Sequence, residues 1–155
     1  MPPACIISAC LAGIPCRYDG NSNAVPALVR LAATGLALPL CPEVLAGLSI
    51  PRPACELCAG RIRSREGSDL TEQFRHGAEQ ALALAWQQPC RTAILKSRSP
   101  SCGFGQIYDG SFSHRLCPGD GLWAALLRRA GFQLFSEEDL PPDLYTMMDS
   151  SGGER

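Results

Sequence analysis

Three short apolar runs, each leading into a turn that carries a cysteine, constrain this chain more than anything else in it. Ala4–Ala9 (ACIISA) runs into Cys10, Leu36–Leu40 (LALPL) into Cys41, and Thr92–Leu95 (TAIL) into a turn rich in Ser, Pro and Gly that holds Cys102. Short apolar runs bounded by turn formers predict buried strands. Between them the period lengthens. Asn23–Gly35 places Leu28, Leu31 and Ala32 on one helical face, with Gly35 as a stop. Glu72–Gln87 carries an apolar stripe of Phe74, Ala78, Ala81, Leu82 and Ala85, with Asp69 or Thr71 available as a cap. Leu122–Ala130 is a further helix ended by Gly131, and Phe132–Phe135 a last short strand. Leu45–Pro53 is turn-rich, and the polar Arg61–Asp69 predicts a short ribbon and turn.

Strands alternating with helices predict an α/β domain with a mainly parallel sheet. Such sheets bind ligands outside the carboxyl ends of their strands. Cys10, Cys41 and Cys102, far apart in sequence, are therefore expected to converge on one edge. Each has small or rigid neighbours, namely Gly13, Pro42, and Pro100 with Gly103.

A chain of 155 residues suffices for one domain, expected over residues 1–140 and followed by an acidic, proline-containing tail, 141–155, frayed at Ser150–Arg155. The start, MPPACIISACLAG, has no charged leader region, and its apolar run is too short to span a bilayer. A cytoplasmic location with no membrane partner is expected. A net charge of -1 supplies no broad attraction for nucleic acid. Nine cysteines in a reducing compartment need metal binding, catalysis or burial to explain them, since structural disulfides are rare there.

Three converging thiolates form a soft site that suits zinc, cuprous copper or an iron–sulfur cluster. Structural zinc usually takes four ligands supplied as close pairs, and no close pair exists among these three. A [4Fe-4S] cluster normally takes four cysteines. With three, one iron stays open as a Lewis acid. Ordinary buried cysteines at loop ends fit the spacing as well.

Four segments carry a wider resemblance: ISACLAGIPCRYDG; LCPEVLAGL with PRP; ILKSRSPSCGFGQIYDGSF; and GDGLWAALLRRAGFQLFSEE. From about Ile6 to Glu138 the chain resembles the DUF523 family, which includes the thiouracil desulfidases. The resemblance implies a Rossmann-like three-layer α/β fold and a [4Fe-4S] cluster on Cys10, Cys41 and Cys102 with a free fourth iron. It also implies non-redox removal of sulfur from a small thiolated pyrimidine, 2- or 4-thiouracil, giving uracil and sulfide. A soft thiocarbonyl sulfur would bind the open iron, leaving the ring carbon electrophilic towards water. Glu43, two residues beyond Cys41, is then placed as the acid–base, although a carboxylate there also suits a helix start. Ser101 would hold the pyrimidine edge or the water, with Ser99 as a second candidate; both also suit a plain turn. Arg17 and Asp19 would pair to fix the first loop behind the ligands. Tyr108, Asp109 and Gly110 would shape the pocket. Family members that act on RNA carry an additional domain beyond these motifs, so the expected substrate is the free base.

The remaining motifs are weaker. Cys55-Glu56-Leu57-Cys58 is a C-x-x-C, but it follows a PRP turn rather than joining a strand to a helix, and the family generally has other residues there. Cys90 and Cys117 read as local substitutions and Cys5 as core. His76 and His114 are too few for a histidine-rich metal site. GFGQ and GDGL lack the full phosphate-loop patterns. Two rival functions remain: a cluster-free enzyme with Cys102 as nucleophile, which lacks a histidine base in any motif, and a metal-binding module without catalysis.

Overall fold

The computed structural model describes residues 2–144 and 146. Strand β1 (Cys5–Ser8) is buried along its whole length because it is an inner strand of a four-stranded parallel sheet. Its neighbours are β2 (Ala37–Leu40) and β5 (Thr92–Leu95), and β8 (Gln133–Ser136) completes the order β2-β1-β5-β8. Alternate side chains leave the sheet on opposite faces. Ile7 and Ile94 meet Leu28 and Leu31 of helix α1 (Pro26–Ala33). Ile6, Ala93 and Leu95 meet α3 (Thr71–Trp86) and α4 (Leu122–Arg129) through Ala78, Ala81, Ala85, Trp123 and Leu127. The result is the three-layer α/β architecture that the strand–helix alternation predicts. Each fully buried Ile or Leu contributes about 1.5–3 kcal/mol.

Several short elements differ from the sequence expectation. Helix α1 starts at Pro26, not Asn23, because proline has no amide to leave unpaired at a first helical position. The preceding amides instead donate to the 3-10 turn Ala9–Ala12: Asn23 to the Cys10 carbonyl at 2.9 Å and Val25 to that of Leu11 at 3.0 Å. The chain after Cys41 forms a one-turn helix, α2 (Pro42–Leu45), which sequence periodicity is too short to reveal. The ribbon expected at Arg61–Asp69 is broader: β3 (Cys55–Cys58) pairs antiparallel with β4 (Arg61–Ser64). A second ribbon joins β6 (Gln106–Tyr108) to β7 (Leu116–Pro118). At the start of α3, Asp69 Oδ1 accepts from the Thr71 amide and hydroxyl, while Thr71 Oγ accepts the Ile62 amide from β4.

Placement of Cys55 and Cys58 in a strand settles the C-x-x-C geometry. Residues three apart in a strand point to opposite faces, so this pair does not close on one metal. No helix among the described residues is long and apolar enough to cross a membrane. Ser150–Arg155, expected to fray, lies outside the described residues.

Helix α3 presses on α2 at Gly77, where an added Cβ would fall 2.0 Å from the Pro42 carbonyl oxygen and 2.8 Å from the Ala46 Cβ. In an open helix, replacing Gly by Ala stabilises by up to ~1 kcal/mol. Here overpacking, at about 1–3 kcal/mol, outweighs that gain, because the obstruction is backbone. Gly77→Ala should therefore lower the thermal midpoint by roughly 2–8 °C. A midpoint unchanged or raised in a melting curve would show that α2 moves aside freely.

Candidate functional site

The chain runs from β1 outward to β2 and then crosses back to β5 on β1's other side. The carboxyl ends of β1 and β5 are thus the topological switch point of the sheet, the usual ligand position in open α/β folds. A cavity of about 420 Å³ lies there. It is lined by Cys10, Cys41 and Cys102, by Glu43, and by Ser99, Arg17 and Lys96. Ser101, expected at the substrate, is not a lining residue: it is 1% exposed and meets the site only through its hydrogen bond to Glu43. Ser8 Oγ accepts the Lys96 amide at 2.9 Å and so ties the end of β1 to that of β5.

Two further thiols line this cavity, Cys55 and Cys16; Cys16, which the sequence places in CRYDG without a role of its own, is 4% exposed. It sorts the others electrostatically. Cys10 is drawn below the ordinary thiol value chiefly by the Cys16 thiol, then by Asn23 and Lys96, against the opposing effect of burial. Cys41 is drawn to about 7, again chiefly by Cys16, with the backbone amides of Val44 and Glu43 helping. Cys16 itself is pushed up and keeps its proton, held by Cys10 and then Cys41. Burial pushes Cys102 well up, opposed by the Ser8 hydroxyl.

Among the described residues, no three His, Cys, Asp or Glu side chains are placed to hold a single metal ion. The thiols stand instead around a cavity, and two of them are drawn below the ordinary thiol value. Soft sulfur donors lining one cavity suit a polynuclear soft centre such as an iron–sulfur cluster.

The loop bearing Cys102 is fixed from two sides. Ser99 Oγ accepts the amides of Ser101 and Cys102 at 3.0 and 2.9 Å. The first amides of α4 then satisfy the loop's carbonyls: Leu122 donates to Pro100 at 2.9 Å, and Trp123 and Ala124 to Ser101 at 2.9 and 3.1 Å. This contact needs Gly121, whose added Cβ would sit 2.6 Å from the Ser101 oxygen.

Glu43, in the first turn of α2, is held by both of its oxygens. Oε1 accepts from Arg52 Nε at 3.0 Å and Nη2 at 2.9 Å, and Oε2 accepts from the Ser101 hydroxyl at 3.0 Å. Arg52 also donates to the Cys16 carbonyl at 2.8 Å. Sequence reasoning passed over Arg52 as part of a rigid turn; the signal was a lone charge between two prolines. In the first loop, Arg17 pairs with Asp19 at 3.4 Å and donates to Asn23 Oδ1 at 2.8 Å. Tyr108 lines the cavity, and the Gly110 amide donates to Glu56 Oε1 at 2.9 Å.

Comparison with known proteins agrees with this fold. Over 145 residues the chain is 39% identical to an uncharacterised protein, YbbK, of Bacillus subtilis (strain 168), covering 87% of this chain and 96% of that one. A solved structure described as the [4Fe-4S]-dependent thiouracil desulfidase TudS (DUF523Vcz) superposes with a TM-score of 0.85 at 45% identity, covering 96% of this chain and 99% of the other. A family profile described as 2-thiouracil desulfurase matches residues 5–139. The chain belongs to the 2-thiouracil desulfurase family.

Proposed function

We propose that residues 1–140 form one catalytic domain that works in the cytoplasm and takes sulfur from a small thiolated pyrimidine, 2- or 4-thiouracil, yielding uracil and sulfide. One observation carries this reading: a carboxylate pinned by Arg52 and Ser101 lines the same cavity as Cys10, Cys41 and Cys102. The desulfidase of known structure that this chain resembles is described as [4Fe-4S]-dependent, which supports the same cofactor here. A [4Fe-4S] cluster held by Cys10, Cys41 and Cys102 would supply an open iron, a soft Lewis acid matched to a thiocarbonyl sulfur.

The chain's own residues supply the rest. Water attacks the ring carbon, its oxygen replaces the sulfur, and no atom changes oxidation state. Glu43 takes the proton from that water and returns it to the ring nitrogen or the departing sulfur. Arg52 and Ser101 keep the carboxylate in one orientation, which leaves one lone pair of Oε2 free for the water. Ser99, after accepting two amides, still has a hydroxyl proton to offer the substrate. Arg17 and Asp19 keep the loop behind Cys10 in place. Cys102 as a lone nucleophile fits less well, because burial holds its thiol protonated at neutral pH.

Protein purified and reconstituted without oxygen should hold roughly four irons per chain and release sulfide from 2- or 4-thiouracil. Iron analysis and sulfide assay check both, and a chain without iron above trace sinks the proposal. Alanine at Cys10, Cys41 or Cys102 should lose most of the iron, whereas Cys58→Ala should keep it. Glu43→Gln should keep the iron and its absorption while slowing sulfide release about 100-fold or more. Undiminished turnover in that variant would remove Glu43 from the mechanism.

A further inference from the structure

Opposite the strand ends, the cavity is walled by a loop whose conformation costs the chain something. Tyr108, Phe112 and His114 all line the cavity. Phe112 (φ 57) and His114 (φ 61) lie in the left-handed backbone region that residues with side chains rarely adopt. Such strain persists only where the surroundings over-determine it, and it gathers at ligand clamps.

The surroundings here do so. Glu56 Oε1, on β3, accepts the amides of both Gly110 at 2.9 Å and Phe112 at 3.1 Å. Asp109 Oδ1 accepts the Ser111 amide and hydroxyl at 2.9 and 2.6 Å, and the Ser111 and Ser113 hydroxyls bond to each other. Tyr108 and His114 meet edge to face with centroids 5.9 Å apart, and the Arg65 guanidinium stands 5.2 Å from the centre of the Phe112 ring. Phe112 nonetheless stays only half-buried. An aromatic ring set out at a cavity wall, on a strained backbone tied from another element, is not placed for core packing.

We infer that the loop Asp109–His114 is a preformed stacking wall for the substrate's flat ring, with Phe112 as the contact face and Glu56 as the residue that positions it. The inference rests on the thiopyrimidine reading above and adds the residues that set the plane of the ring. A hydrogen bond from Ser99 would fix one edge of a pyrimidine but leave it free to tilt. A face contact removes the tilt, so the ring carbon stays aligned with the water that Glu43 activates. Because the loop is ordered by Glu56 before substrate arrives, its ordering cost falls on folding rather than on binding.

The test uses reconstituted holoprotein, with KM and kcat for thiouracil and the dissociation constant of uracil measured by calorimetry. Phe112→Leu, which keeps apolar bulk without an aromatic face, should weaken uracil binding and raise KM about tenfold. Its kcat should change far less, while Phe112→Tyr should stay near wild type. Glu56→Ala should reproduce the Phe112→Leu result, and Glu56→Gln, which retains the accepting Oε1, should restore binding. Iron content and thermal unfolding establish that each variant is folded and loaded; if Phe112→Leu fails there, the two Glu56 variants decide the matter. Uracil binding as tight as wild type in both Phe112→Leu and Glu56→Ala overturns the inference alone. A wild-type protein that neither binds uracil nor releases sulfide overturns the desulfidase reading together with it.

Discussion

The largely buried ion pair between Arg52 and Glu43 joins the loops that follow three strands of the sheet. Their side chains are 6% and 16% exposed. Arg52 donates to Glu43 from β2's end, to the Cys16 carbonyl from β1's end, and to the Ser49 carbonyl at 3.2 Å. Its own amide donates to the Tyr18 carbonyl at 2.8 Å. Through Ser101, the other oxygen of Glu43 reaches the loop after β5. Three strand-end loops therefore meet at one carboxylate. Removing one partner of a buried pair costs about 3–5 kcal/mol, much of it from the charge left behind. The pair's net stabilisation is smaller than that figure, so its main consequence is position rather than energy.

The parallel sheet brings the loops to one edge, but hydrogen-bond accounting shapes them. A loop beside a buried site must satisfy its own backbone groups. The Cys102 loop does so by lending its carbonyls to the first amides of α4, the groups a helix otherwise leaves unpaired. Gly121 permits that approach, and Ser99 pairs the amides on the inner side. One arrangement thus caps a helix and fixes a cysteine. The same economy operates after β2, where Gly77 of α3 lets α2, and with it Glu43, settle close against α3.

The sheet and its three principal helices were legible because apolar periodicity runs long enough to declare them. The meeting of Cys10, Cys41 and Cys102 at one cavity was legible too, since parallel strands send their following turns to the same edge. Short elements were not. Helix α2 has four residues, and β3 reads Cys-Glu-Leu-Cys, with too little alternation to stand out. Arg52 and Cys16 escaped for a different reason. The contact between them spans 36 residues, and no local pattern encodes it. Cys16 returns beside Cys10 because the chain reverses at Gly13, which has φ 90 and donates its amide to the Cys10 carbonyl.

That reversal decides the charge balance of the cavity. Cys10 and Cys41 are drawn below the ordinary thiol value because Cys16 keeps its own proton and can donate it to them. Lys96 adds positive charge nearby while its Nζ pairs with Glu137 at 3.0 Å, so it does not bring an unpaired charge into the site. Cys102 has no such help beyond the Ser8 hydroxyl, and burial keeps it protonated. Two of the proposed ligands are thus drawn below the ordinary thiol value before any metal arrives, and the third is not. A bound cation would replace the Cys102 proton and relieve the cost of burying its charge, which couples metal uptake to proton release at that position. Cys102 lies in the loop that also carries Ser101, whose hydroxyl already donates to Glu43 at 3.0 Å. The loop that presents Cys102 is therefore also the one that steadies this carboxylate.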